Sequence, residues 1–118
     1  MLGLINNRDK FLSFIDANEF PTNVAEGYYE IIKELATALL LLDGFKAIGD
    51  KAHKELIEYL SNYKEISREE IVLMDDLRIK RNKSSYEGKQ IEKSYLENKK
   101  GRLVEVIKKL KGLVNSRL

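Results

Sequence analysis

The side chains best suited to chemistry are concentrated in one stretch, Asp75-Asp76-Leu77-Arg78-Ile79-Lys80-Arg81-Asn82-Lys83-Ser84-Ser85-Tyr86-Glu87-Gly88. On a helix Arg78, Arg81 and Ser85 follow one another at steps of three and four, which lines them along one stripe. Two guanidinium forks a turn apart grip a phosphate bidentately, and Lys80 and Lys83 add charge beside them. Arg78, Lys80, Arg81, Lys83 and Ser85 are therefore candidates for contacting the phosphates of a nucleic acid. The plainer account of the same residues is a solvated charged face. Arg78 would pair with Asp75 or Asp76, and Lys80 with Asp76, each exposed pair contributing about 0–1 kcal/mol.

Composition closes other routes to chemistry. Among 118 residues there is no Cys and one His, so disulfides, thiolate zinc sites and cysteine nucleophiles are excluded, and a histidine-built metal centre lacks ligands. Neither a metal nor a cofactor is expected. His53 is the only other candidate base besides the groups of the 75–88 stretch. In the first turn or so of a helix it reads first as a partly exposed polar residue. The aromatic residues Tyr28, Tyr29, Phe45, Tyr59 and Tyr63 read as packing.

The net charge of +2 conceals a strong asymmetry. Residues 1–77 carry 8 Lys/Arg against 15 Asp/Glu, net −7, whereas 78–118 carry 13 against 4, net +9. Either the basic part meets an anionic partner or the two parts pack on each other. The C-terminal segment holds Lys89, Lys93, Lys99, Lys100, Arg102, Lys108, Lys109, Lys111 and Arg117. Such a surface can track a nucleic-acid backbone, although Glu92, Glu97 and Glu105 interrupt it and a solvated lysine face is the simpler reading.

Hydrophobic periodicity shows which elements must position these groups. A first helix is expected over about 3–17, from Leu4, Phe11, Leu12, Phe14 and Ile15. Pro21-Thr22-Asn23 supplies a start signal for a second. Its apolar stripe Tyr28, Ile32, Leu35, Leu39, Leu42 marks a bundle helix. Asp50 can cap a third helix reaching about Tyr63. Ser67 followed by Glu70 has the spacing of a capping box, opening a fourth that reaches about Ser84, where Ser84–Gly88 reads as a stop or a kink. The last helix occupies roughly 89–116. No segment alternates in the manner of a strand, so an all-α antiparallel bundle of four or five helices, forming one domain over 1–118, is expected. The longest apolar run, Ala38–Leu42, is far short of the ~20 residues a bilayer requires, so no membrane span and a cytoplasmic location are expected.

The run Leu77-Arg78-x-x-Arg81-Asn82-x-x-x-Tyr86-x-Gly88 resembles the HEPN superfamily of small helical domains. Tyr28-Tyr29-Glu30-Ile31-Ile32 and the segment from Asp43 through His53 to Leu60 precede it as in that family. The similarity spans about 24–114, leaving the helix over 3–17 as an addition. The resemblance implies a cleft built between two copies, and RNA or a nucleotide as ligand. It also implies a role related to toxin–antitoxin systems or RNA processing, or alternatively a non-catalytic module partnering a minimal nucleotidyltransferase. Many members cleave RNA without a metal, using an arginine followed by a polar residue and, after a short gap, a histidine. Arg81 and Asn82 match the first two, and Tyr86 stands where the histidine would, so the catalytic candidates are Arg81, Asn82 and Tyr86.

The chemistry of that replacement favours binding over cleavage. Arg81 suits stabilisation of a phosphate whose charge builds. A phenol with pKa near 10 is ionised only about one part in a thousand at neutral pH and is a poor base. Tyr86 can still donate a hydrogen bond to a phosphate or stack on a base, or simply close the end of the bundle. In an unbroken helix five residues rotate by about 140°, so Tyr86 joins Arg81 only if the helix bends or ends between them.

Overall fold

In the computed structural model, which describes residues 3, 5–7, 10, 20–45 and 52–118, the chain is an all-α bundle with no strand among the described residues. Among the described residues from 20 onward, four helices follow in order, α1 (Pro21–Leu42), α2 (Ala52–Tyr59), α3 (Arg68–Glu87) and α4 (Lys93–Asn115), with a short 3₁₀ turn over Leu60–Asn62 after α2. Of the helix expected over 3–17, residues 3, 5–7 and 10 are helical and Ile5 is buried. The rest of it, and the expected cap Asp50, lie outside the described residues.

α1 is the spine of the bundle. Apolar side chains fall on more than one face of it, and Val24, Ala25, Tyr28, Tyr29, Ile31, Ile32, Leu35, Ala36, Ala38, Leu39 and Leu40 are all buried. A helix this broadly apolar must be covered from several sides, and α1 packs most extensively on α4 and also touches α3 and α2. Leu96, Leu103, Val106, Ile107, Leu110 and Val114 supply the facing row of α4, and Ile71, Leu73, Met74 and Leu77 that of α3. Every described residue of this core is hydrophobic, with no polar or charged side chain buried in it.

The helix ends depart from the sequence expectation in instructive ways. Pro21 opens α1 at its first position, where its missing N–H costs nothing. Thr22 does not cap the helix. Its hydroxyl accepts from the Ile91 amide at 2.9 Å and donates to Gln90 Oε1 at 2.9 Å, fastening the α3–α4 connection to the start of α1. That connection, 88–92, is not helical, so α4 begins at Lys93 rather than near 89, and Ile91 is tucked into the core. The third expected helix tightens into the 3₁₀ turn at Leu60 before reaching Tyr63.

The capping box at the start of α3 is formed. The Ser67 hydroxyl accepts from the Glu70 amide at 3.1 Å while Glu70 Oε1 accepts from the Ser67 amide at 2.9 Å. The same oxygen accepts from Lys109 Nζ of α4 at 2.9 Å, so one carboxylate ties a helix start to a neighbouring helix. Burial pushes the Glu70 carboxyl up, but the Ser67 amide and the Lys109 ammonium outweigh it and hold its pKa below the ordinary value of 4.5. A carboxylate depressed in the native state stabilises fully above its unfolded pKa and loses that contribution as pH falls through the native one. Thermal melts between neutral pH and about pH 3 should therefore show a steeper acid loss for the wild type than for Glu70→Gln. Parallel curves would deny Glu70 this role.

A second tie joins the other end of the bundle. Asp43, just after α1, accepts hydrogen bonds from the Tyr63 hydroxyl and, at 2.7 Å, from Arg117 Nε, while the Arg117 guanidinium lies 5.3 Å from the Tyr63 ring centre. The Tyr63 hydroxyl and then Arg117 hold the Asp43 carboxyl below its usual range. Tyr28, Tyr29 and Tyr63 are buried as expected, whereas Phe45, assigned to packing on sequence, is exposed. Its ring leans on Tyr59 at 5.0 Å from outside the core.

Candidate functional site

α3 runs unbroken from Arg68 to Glu87 and ends at Gly88, whose φ of 70° is the left-handed conformation that closes helices. Of the two readings of Ser84–Gly88, a stop or a kink, the stop is realised at Gly88 and the kink is absent, because neither serine interrupts the helix. Ser84 instead donates to Glu26 of α1 at 3.4 Å. With the helix continuous, Tyr86 lies about 140° around the axis from Arg81. Its side chain is 80% exposed. Within one chain Arg81 and Tyr86 do not share a site.

What surrounds Arg81 comes from elsewhere in the chain. Its Nη2 lies 3.3 Å from Glu30 Oε1, and its guanidinium carbon is 5.4 Å from the centre of the buried Tyr29 ring, both on α1. Stacking on the ring and the carboxylate contact together orient the fork. Lys33, one turn further along α1, holds the other Glu30 oxygen at 2.8 Å. Arg78 is half-buried one turn before Arg81, its Nε bonded to Asp75 Oδ1 at 2.8 Å. The pairing of Arg78 with Asp75 is thus formed, whereas Lys80 lies with its ammonium 5.3 Å from the Tyr95 ring centre.

His53 joins this group from α2. Its ring centre is 6.1 Å from that of Tyr29, the same aromatic ring on which Arg81 stacks. Burial, followed by the positive charges of Lys33 and Arg81, lowers the pKa of His53 below 6.5, with Arg78 adding to the effect and Glu30 opposing it. The imidazole is consequently neutral at neutral pH. Three helices therefore bring Lys33, His53, Arg78 and Arg81 around Tyr29 and Glu30, a patch in which Lys33, Arg78 and Arg81 outnumber Glu30 and Asp75.

The remaining sequence candidates lie around the rest of the α3 surface. Ser85 is exposed on the Arg81 stripe, and Asn82 is half-buried about 100° from Arg81. Lys80 and Lys83 turn toward the α3–α4 connection, where with Lys89, Gln90 and Ile91 they line a small hollow of about 160 Å³. On the side away from Arg81, a groove of about 350 Å³ runs between α2 and α3, lined by Ile57, Ile71, Val72 and Ile79 together with Asp75 and Asp76. Val72 (56% exposed), Ile79 (40%) and Tyr86 follow at seven-residue intervals along that side.

Sequence reading named Arg78, Arg81 and His53 but did not join them, and it passed over Lys33. Glu30 and Lys33 carry only the weak signal of an i, i+3 charge pair. Arg81 and Glu30 are 51 residues apart in the chain. Among the described residues, no three His, Asp or Glu side chains are grouped so that they could hold a metal ion, and no helix is long and apolar enough to cross a membrane. The molecule is thus an all-α bundle in which Lys33 of α1 and Arg78 and Arg81 of α3 are grouped around Tyr29 and Glu30, with His53 of α2 beside them. No protein-family model matches the chain, and neither a curated protein nor a solved structure does.

Proposed function

We propose that this chain binds RNA, or the phosphate of a nucleotide, through Arg81 and its neighbours. The observation that carries the reading is the setting of the Arg81 guanidinium, stacked on Tyr29 and flanked by Lys33 and Arg78. A phosphate oxygen competes with Glu30 for the Arg81 fork, and charge-assisted bonds to a guanidinium favour the doubly bonded anion. Lys80, Lys83 and Lys89 offer further phosphate contacts along the strand. The resemblance to HEPN domains, carried by Leu77-Arg78-x-x-Arg81-Asn82, points the same way.

The same reading has the chain acting as a homodimer, supported by the exposed Val72 and Ile79 in the α2–α3 groove and the exposed Tyr86 at the same seven-residue spacing on α3. Sedimentation of the protein as a 13.7 kDa species would remove this part. RNA binding is tested by fluorescence polarisation with a short labelled single-stranded RNA at stepped salt. Each phosphate neutralised on a single strand adds about 0.7 to the slope of log affinity against log salt, so three contacts give a slope of about −2. A flat response, or no binding, overturns the reading and leaves a protein partner such as a nucleotidyltransferase as the better account.

A further inference from the structure

We propose that the hollow at the α3–α4 connection is a second anion site, shaped for a terminal phosphate, the phosphomonoester that ends a strand or belongs to a free nucleotide. This site rests on the binding reading given above and names the part of the ligand that this face takes.

Three ammonium groups meet there. Lys80 and Lys83 stand one turn apart on α3, about 100° and 160° around the axis from Arg81, so the hollow is separate from the Arg81 setting. Lys89 arrives from the connection. Gly88, with a φ of 70°, ends α3, and the Lys89 amide donates to the Lys83 carbonyl at 3.3 Å, which fixes the two backbones side by side. Thr22 holds the next two residues, through Gln90 Oε1 and the Ile91 amide. The Lys80 ammonium lies 5.3 Å from the Tyr95 ring centre, an attraction that draws it toward α4.

The charge around these lysines sets them apart. Lys33, Arg78, Arg81, Lys109 and Arg117 each have a carboxylate within ion-pair distance. Among the described residues Lys80, Lys83 and Lys89 have none, and no carboxylate lines the hollow they share with Gln90 and Ile91. Like charges one turn apart on a helix repel, and an anion seated between them relieves the repulsion. Volume then limits what enters. The hollow measures about 160 Å³, roughly half of the ~300 Å³ at which pockets for whole small molecules begin. A phosphate fits, and the attached nucleoside stays outside. Charge selects the kind of phosphate, since a linkage within a strand carries one negative charge and a terminal phosphate about 1.5–2 at neutral pH.

The test uses the full chain and three short single-stranded RNAs of one sequence, labelled on an internal base. One carries a 5′-phosphate, one a 3′-phosphate and one neither. By fluorescence polarisation, the wild type should bind a terminally phosphorylated strand about 10-fold more tightly than the unphosphorylated one, the lower end of what charge-assisted bonds supply. The advantage should shrink as pH falls below about 6, where the phosphate takes up its second proton. Lys83→Gln combined with Lys89→Gln should bring the strands to equal affinity, whereas Arg81→Ala should weaken all three and keep their ratio. Calorimetric titration with adenosine 5′-monophosphate separates the sources. Binding that the double variant loses adds a free nucleotide as ligand, and no binding leaves strand ends as the ligand. Equal affinity of the wild type for the three strands with no nucleotide binding, or a preference that the double variant retains, overturns the terminal-phosphate site and leaves binding at Arg81 standing. Failure of the wild type to bind any of these ligands overturns both.

Discussion

Truncation of Leu39 to alanine should remove about 2–5 kcal/mol of folding stability, the range for burying a leucine-sized void in a core that relaxes incompletely. Leu39 has no solvent exposure and stands on α1, the helix against which the other described helices pack. Small domains are stable by only about 5–15 kcal/mol, so the loss is a large share of the total. A midpoint lowered by roughly 10–20 °C in a thermal melt is expected for a chain of this size. The exposed Leu41, two residues along, serves as the contrast, since Leu41→Ala leaves no cavity and should shift the melt little. Equal effects of the two substitutions would mean that α1 is not the spine described here.

Replacement of Arg81 by alanine should weaken RNA binding by about 10- to 100-fold, corresponding to the loss of charge-assisted hydrogen bonds worth about 1.5–3 kcal/mol. Folding should change little, because the Arg81–Glu30 contact is partly open to solvent and Lys33 remains on Glu30. Arg81→Lys should not restore affinity, since an ammonium keeps the charge but neither presents a planar fork nor stacks equivalently on Tyr29. Tyr86→Phe should bind as the wild type does. Polarisation titrations of the three variants decide the matter, and an unchanged affinity for Arg81→Ala would remove Arg81 from the site.

The legibility of the bundle in the sequence follows from how each signal acts. Of the stripe Tyr28, Ile32, Leu35, Leu39 and Leu42, a local periodicity, the first four residues are buried, and Leu42, at the last position of α1, is exposed. The Ser67–Glu70 capping box closes within a single turn, so its spacing alone suffices. Thr22 and Phe45 depart from the sequence expectation because a tertiary neighbour decides each. The Ile91 amide claims the Thr22 hydroxyl, and the Phe45 ring meets Tyr59 outside the core. α3 ends beyond the expected Ser84 because serine disfavours but does not forbid a helix, and the left-handed Gly88 closes it.

Composition excluded thiol chemistry, periodicity determined an all-α bundle, and the Arg78–Arg81 spacing marked the cationic part of α3, all through interactions that span no more than a few turns. Tertiary structure alone decided that Arg81 meets Glu30 and Tyr29, that His53 stands on the same ring and that Tyr86 faces away. These outcomes depend on which faces of α1, α2 and α3 pack together and on α3 remaining straight. Burial of the whole apolar surface sets that arrangement, and no single motif encodes it.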